Sequence, residues 1–409
     1  MNADITVSTV ADQTPMAPGY KVSEEVVGGR RIARFRTEAP ILRFFSIQSA
    51  AYAVKTERYK GIDLSVYYHP GHPWNVDRML KALKVGLDYD QANFSPYQFR
   101  QVRILEFPAY ADFAQSFANT IPYSENLGWI IDTRNPEKID MVTYVTAHEL
   151  GHQWWAHQVI GGDMQGASML DETLAQYSAL TAMEKLYGPA QIHRFLKFEL
   201  DHYLRARGGD LVEELPLERV ENQGYIHYRK GALIMYRLKE ELGEDRVNAA
   251  LQELLRRYAF HAAPYPTSRE LVDLFRAQAR PDQQQLITDL FEKITLYDLK
   301  ARSATAKRRP DGRYDVTLTY EAHKTYADGQ GRETKAPLSD TVEFGLFTQS
   351  PVRESFTARD VVRIERAPIT DGVHTVTVIA DRLPTVAGID PYSKLIDRNT
   401  DDNVVPVTH

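Results

Sequence analysis

The sequence predicts an α+β fold: a short N-terminal β segment, a mostly helical body with an edge β-sheet, and a C-terminal β-sandwich. Three observations lead there. Apolar and polar residues alternate with a period of two between residues 20 and 68, and again after about 300. From about residue 74 to 294 the apolar spacing turns helical, interrupted by two strand-like runs. At 409 residues the chain is long enough for two or three domains.

The elements follow in order. "EEVVGGRRIARFR" reads as a hairpin around Gly28–Gly29, and "GIDLSVYYH" as an alternating strand. "NVDRMLKALKVGLDY" places Met79, Leu80, Leu83 and Leu87 on one side of a helix with Asp77 near its start. "QVRILEF" and "ENLGWIID" read as strands. Helices are expected near 139–157, 171–187, 189–206, 228–242, 244–260 and 267–294, the last split at Pro281. "RYDVTLTYEA", "DTVEFGLF" and "HTVTVIAD" then alternate as strands, with "ADGQGRE" as turn chemistry between the first two. Lys307-Arg308-Arg309 is expected in a solvated loop at the domain junction.

Composition narrows the class. Hydrophobic content of 43% with 25% charged residues belongs to a folded globular chain. A net charge of -6 offers no basic face for nucleic acid or an anionic membrane. No run of about 18 apolar residues is present, so no direct membrane insertion by this chain is expected. The start lacks a basic patch followed by an apolar stretch, so it does not read as a signal peptide. With no cysteine, any metal must sit on His, Asp or Glu, and the compartment stays open.

The chemistry concentrates in "HELGHQWWAHQVIGGDMQGASMLDETLAQYSAL". His148 and His152 stand four residues apart, one turn of a helix, on the same face. That spacing suits two imidazole ligands of one zinc ion, with Glu149 beside them as a general base. By residue frequencies such a pattern arises in roughly one chain in fifty of this length, so the third ligand decides. Gln158 occupies the position where one class of zinc protease has a third His, and His157 is one residue off and reads as structural. The other class takes a Glu from a following helix. "DETLAQYSALTAME" is such a helix, and Glu172 is the candidate, with Asp171 as a cap or a support for it.

His148-Glu149-Leu150-Gly151-His152-Gln153-Trp154-Trp155 followed by Asp171-Glu172-Thr173-Leu174-Ala175 resembles the aminopeptidase N-like family of zinc metallopeptidases, the gluzincins. Nineteen residues separate His152 from Glu172, one more than the family's pattern, and the extra residue is placed in the loop. The family's Gly-x-Met-Glu-Asn motif is matched in part by "PYSENLGWI", with Glu125 and Asn126 in register, 23 residues before His148. Its Tyr-x-Lys-Gly motif is matched by Tyr228, Arg229, Lys230 and Gly231.

The resemblance implies one zinc ion on His148, His152 and Glu172, Glu149 and Tyr228 as catalytic base and oxyanion donor, and Glu125 and Asn126 as substrate-binding residues. It implies an aminopeptidase acting on peptides, whose backbone adds along the "ENLGWI" edge strand while Glu125 holds the free α-amine. It implies a remnant of an N-terminal β domain at 1–60, a thermolysin-like peptidase domain at 61–297 and a β-sandwich at 298–409. The family's complete N-terminal β domain and its large helical cap are not matched. The wording of the motifs is similar to peptidase modules fused to bacterial transporter-type membrane proteins, which implies a domain tethered within a larger membrane-associated protein. Two alternatives stay open: a thermolysin-type endopeptidase, and a non-catalytic zinc-bearing module of a membrane assembly. Glu149 and Tyr228 speak against the last, because a structural zinc needs neither a base nor an oxyanion donor.

Overall fold

Strands open the chain in the computed structural model, which describes residues 1–135 and 138–409. β1 (Asp4–Val10), β2 (Thr14–Met16), β3 (Tyr20–Val27) and β4 (Arg30–Arg36) come first. The β3–β4 hairpin turns at Gly28 and Gly29, whose φ values of 56° and 76° lie where a side chain would be strained. This sheet has the order β1-β4-β3, and β2 pairs separately with β5 (Gln48–Ala50).

A second sheet runs β6 (Ala53–Tyr59), β7 (Ile62–Tyr68), β8 (Gln101–Phe107) and β9 (Thr120–Ser124), in that order. β7, β8 and β9 are mutually parallel, and helix α1 (Val76–Asn93) makes the crossover from β7 to β8. Met79, Leu80, Leu83 and Leu87 are all buried, as the apolar spacing predicts. The "ENLGWIID" strand is not formed. The strand there is β9, one step upstream, and Glu125–Gly128 is a single helical turn, α2. Trp129 and Ile130 both donate their N–H to the Glu125 carbonyl, so that backbone is coiled, not extended.

The helical part begins with α3 (Met141–Gly151) and α4 (Leu174–Tyr187), and continues with α5 (Pro189–Ala206), α6 (Gly231–Leu242), α7 (Glu244–Tyr258) and α8 (Ser268–Gln278). Pro281 marks the expected break after α8. Two helices are preceded by π-helical turns, Met169–Thr173 before α4 and Tyr225–Lys230 before α6. Periodicity did not announce either of them.

Strand β10 (Ile294–Arg308) starts where the last helix was expected to end. Lys307 and Arg308 are solvated, but they stand on this strand and not in a loop. β11 (Tyr314–Ala327), β12 (Glu333–Lys335), β13 (Ser339–Phe347), β14 (Val361–Thr370), β15 (Gly372–Ala380), β16 (Val386–Ile389) and β17 (Val404–Thr408) complete a C-terminal β domain. β17 pairs with both β10 and β16, so the strands form one continuous sheet. Leu299, Val316 and Leu318 from one arm share a core with Val342, Phe344 and Ile389 from the other.

By contacts the chain divides into two units interleaved in sequence. One holds residues 1–162, 170–186 and 251–266; the other holds 163–169, 187–250 and 267–409.

Candidate metal centre

Helix α3 is set from its first residue. Asp140 caps it, accepting the Thr143 N–H at 3.0 Å and the Thr143 hydroxyl at 2.6 Å, and is itself held by Arg78 at 2.5 Å. The helix stops at Gly151, six residues short of the expected end, and the chain turns through buried Trp154 and Trp155. Ala156 sits at φ 128°, where the backbone has left the helix. The turn brings the Trp155 carbonyl back to His152, 2.9 Å from Nδ1. A carbonyl only accepts, so Nδ1 carries a proton and Nε2 is the nitrogen left to face a ligand.

Gly151 also lets α4 approach. A Cβ at that position would stand 3.0 Å from Ser178 Cβ and 3.2 Å from Ala175 Cα. The close approach is fastened by Trp155, whose indole N–H donates to the Ser178 hydroxyl at 3.1 Å. One turn before Ala175, the π-helical turn presents Glu172 to the two histidines.

The result is a triangle of donor atoms. His148 Nε2 and His152 Nε2 lie 3.1 Å apart, and Glu172 Oε2 is 3.3 Å from each. Ligands about 2.0–2.1 Å from a tetrahedral zinc lie about 3.3 Å from one another. The triangle therefore matches one face of such a site, and the donor set of two imidazoles and a carboxylate suits zinc. Glu172 Oε2 is buried without a well-formed hydrogen bond, as is Glu149 Oε2.

The electrostatics follow from this crowding. Burial works to raise the Glu172 pKa, but the two imidazoles overcome it and hold the carboxyl well below the usual range. Burial works to lower the His152 pKa, and Glu172 outweighs it, pushing the imidazole up to about 9. Glu149 is fully enclosed, and burial raises its pKa against the pull of both histidines. Its backbone carbonyl accepts the Ser116 hydroxyl at 2.7 Å, which ties the segment leading into β9 to α3.

The remaining predicted residues fall as follows. Asp171 stays outside the triangle; its Oδ1 accepts the Glu172 N–H at 2.7 Å, a support for the π-helical turn. His157 points its Nε2 at the Ser116 carbonyl, 3.1 Å away, in agreement with its structural reading. Asn126 donates to Asp112 at 2.8 Å and thereby fastens the loop before β9. The outer edge of β9 carries the chain's own bridges, Ala114 to Tyr123 and Phe117 to Thr120. Backbone addition of a peptide along "ENLGWI" is thus corrected: that stretch is helical, and the edge upstream of it is partly paired. Tyr228 is half-buried within the second π-helical turn, its ring 4.3 Å from that of His227.

Glu125 is not alone. Its Oε1 accepts the Ala109 N–H at 2.9 Å, and its Oε2 lies 3.8 Å from His72 Nδ1. His72 Nδ1 also meets buried Glu106 at 2.5 Å, and Glu106 accepts the His69 N–H. Burial raises the Glu106 pKa although His72 opposes it. Sequence reasoning missed both neighbours. Nothing local marks them, because His72 comes from a loop and Glu106 from β8, and only sheet pairing brings them to Glu125.

Comparison with known proteins decides the family. The model of the peptidase family M1 domain matches residues 76–292, more than half of the chain. The chain belongs to peptidase family M1. The matched stretch contains Glu125, His148, Glu149, His152, Glu172 and Tyr228. Human endoplasmic reticulum aminopeptidase 2 is 26% identical over 212 residues, 50% of this chain and 22% of that protein. Aminopeptidase M1 of Arabidopsis thaliana is 25% identical over 276 residues, 63% of this chain and 30% of its own. Aminopeptidase 2 of Candida albicans is 22% identical over 386 residues, 90% and 40%. This M1 chain thus spans less than half the length of each of these relatives. Aminopeptidase A of Legionella pneumophila, solved in complex with aspartic acid, shares the fold with a TM-score of 0.62 and 16% identity, over 97% of this chain and 44% of that one. Among the described residues, no helix is long and apolar enough to cross a membrane.

Proposed function

We propose that this chain is the catalytic part of a zinc aminopeptidase, releasing N-terminal residues from peptides by hydrolysis. The observation that carries the reading is the triangle of His148 Nε2, His152 Nε2 and Glu172 Oε2, with edges of 3.1 and 3.3 Å. When bound, zinc supplies Lewis acidity, polarising the scissile carbonyl and lowering the pKa of water. Glu149 Oε2 takes the proton of the attacking water and passes it to the leaving amine nitrogen; a carboxyl whose pKa is raised by burial suits that shuttle. Tyr228 donates its phenol hydrogen to the carbonyl oxygen as charge develops there. Glu125 Oε2 receives the substrate's α-ammonium by a charge-assisted hydrogen bond.

With this reading goes a thermolysin-like plan for residues 61–297, flanked by the N-terminal remnant at 1–60 and a sandwich at 298–409. The residue by which the spacing between His152 and Glu172 exceeds the family's pattern is assigned to the π-helical turn, which holds one residue more than an α turn. The likeness of the motifs to transporter-fused peptidase modules supports a setting within a larger membrane-associated protein.

The test is hydrolysis of a panel of aminoacyl arylamides and their N-acetylated forms, with a chelator control. Free-amine substrates are cleaved, acetylated ones little or not at all, and Glu125→Ala narrows the gap by slowing the free-amine substrates. Equal cleavage of both forms would replace the aminopeptidase by an endopeptidase. Cleavage that survives the chelator would remove zinc from the reaction.

A further inference from the structure

Tyr228 stands in a π-helical turn, Tyr225–Lys230, that runs directly into α6. Such turns are rare because they pack less well along their axis than an α turn, and they persist where tertiary contacts hold them. The residues that follow Tyr228 carry those contacts. Arg229 Nη1 donates to both carboxylate oxygens of Glu199 on α5, at 3.2 and 3.1 Å, and its guanidinium lies over the Phe198 ring. Lys230 Nζ, fully buried, donates to Glu214 Oε1 at 3.1 Å.

Glu214 is a hub. It comes from the segment between α5 and the π-helical turn, and it also accepts the Tyr203 hydroxyl at 2.5 Å and the Arg207 Nε–H at 3.0 Å. Tyr203 belongs to α5 and Arg207 caps it. Two carboxylates, one on α5 and one tied to its end, therefore grip successive residues of the turn. If the turn relaxed to α geometry, one residue would be taken out of the register between Gln223 and α6. One residue corresponds to a rotation of about 100° around the helix axis. Carried on the length of a tyrosine side chain, such a rotation moves the hydroxyl by several ångström.

We propose that Glu199 and Glu214 are positioning residues that act through Tyr228: by holding Arg229 and Lys230 they keep the turn in π geometry and so set where the phenol points. This rests on the role proposed for Tyr228 above, and the experiment separates the two. Glu199→Gln and Glu214→Gln keep the size, remove the charge and replace one accepting oxygen by an amide nitrogen that only donates. Each is measured alone and combined with Tyr228→Phe, following kcat and KM on one aminoacyl arylamide together with zinc content.

In the otherwise native chain, kcat falls about 10²- to 10³-fold, the range for loss of an oxyanion donor, because a hydroxyl moved by several ångström no longer reaches the carbonyl oxygen. KM stays within about twofold and zinc remains at one per chain. On top of Tyr228→Phe, neither change lowers kcat further, because the phenol it positions is gone. A loss of the same size in both backgrounds would overturn the proposal and leave the carboxylates merely structural. Unchanged kcat in the single variants would overturn it as well, while leaving the role of Tyr228 intact. An unchanged kcat in Tyr228→Phe itself would remove both. Glu214→Gln leaves Lys230 and Arg207 short of an anion and can cost the fold. Glu199→Gln removes the anion opposite the partly exposed Arg229 and carries the test by itself.

Discussion

Replacing Gly151 by alanine probes whether helix approach builds the metal triangle. The added Cβ would meet Ala175 Cα at 3.2 Å and Ser178 Cβ at 3.0 Å. A side chain could swing away, but Ala175 Cα is backbone of α4 and cannot. Relief to an ordinary contact of about 3.5 Å requires α3 and α4 to separate by roughly 0.3–0.5 Å, and overpacking of this kind costs about 1–3 kcal/mol. Helix propensity returns at most about 0.5–1 kcal/mol, and less here because Gly151 is the last residue of α3. The net expectation is a destabilisation of about 1–2 kcal/mol.

The same displacement reaches the proposed metal site. Glu172 lies three residues before Ala175, while His148 and His152 belong to the opposing helix and its cap. A metal site tolerates ligand displacements of only about 0.2 Å, so zinc affinity falls about tenfold. Urea unfolding of the metal-free protein gives the first quantity, and competition with a chromophoric chelator gives the second. Gly86→Ala is the control: its Cβ would meet Leu150 Cδ2 at 2.6 Å, the movable end of a side chain, and the next contact is at 3.8 Å. It should leave zinc affinity unchanged. If Gly151→Ala keeps both stability and zinc affinity, close helix approach is not what closes the triangle.

Two further outcomes are expected. Glu172→Gln should weaken zinc binding far more than Asp171→Asn, since Asp171 stands outside the triangle and bonds the Glu172 N–H; metal analysis after dialysis checks this, and equal losses would move the third ligand by one position. Burial lowers the His193 pKa to about 4, below its ordinary 6.5, in a stack against Tyr392. Its contribution is therefore complete above pH 6.5 and is lost as the pH falls from 6.5 towards 4, by about 2 kcal/mol at pH 5. Urea unfolding at pH 7.5 and 5.0 should show that slope reduced by this amount in His193→Phe, and an equal slope in both proteins would refute the assignment.

Much of the candidate site is readable in the sequence, because its signals are local. His148 and His152 share a face through the period of one helix, and Glu172 opens a second helix whose flanking residues match a family pattern. The hairpin at Gly28–Gly29, the apolar face of α1 and the alternating strands β11, β13 and β15 are legible for the same reason: a period of 2 or 3.6 reports which side of one element is dry. Where neighbours in space override the local pattern, the sequence misleads. "ENLGWI" alternates like a strand, yet Glu125–Gly128 coils once β9 has ended at Ser124. Helix α3 stops at Gly151 because the buried tryptophans turn the chain and return a carbonyl to His152. The π-helical turns that carry Glu172 and Tyr228 leave no periodic trace; the second is held from outside, by Glu199 and Glu214 on Arg229 and Lys230. The grouping of His72, Glu106 and Glu125 depends on parallel strand pairing, which joins residues up to 53 positions apart. Residue types and spacing determined which chemistry is available to this chain. The tertiary structure alone decided which donor atoms converge, because distances of about 3 Å between elements are set by how closely backbones can pack.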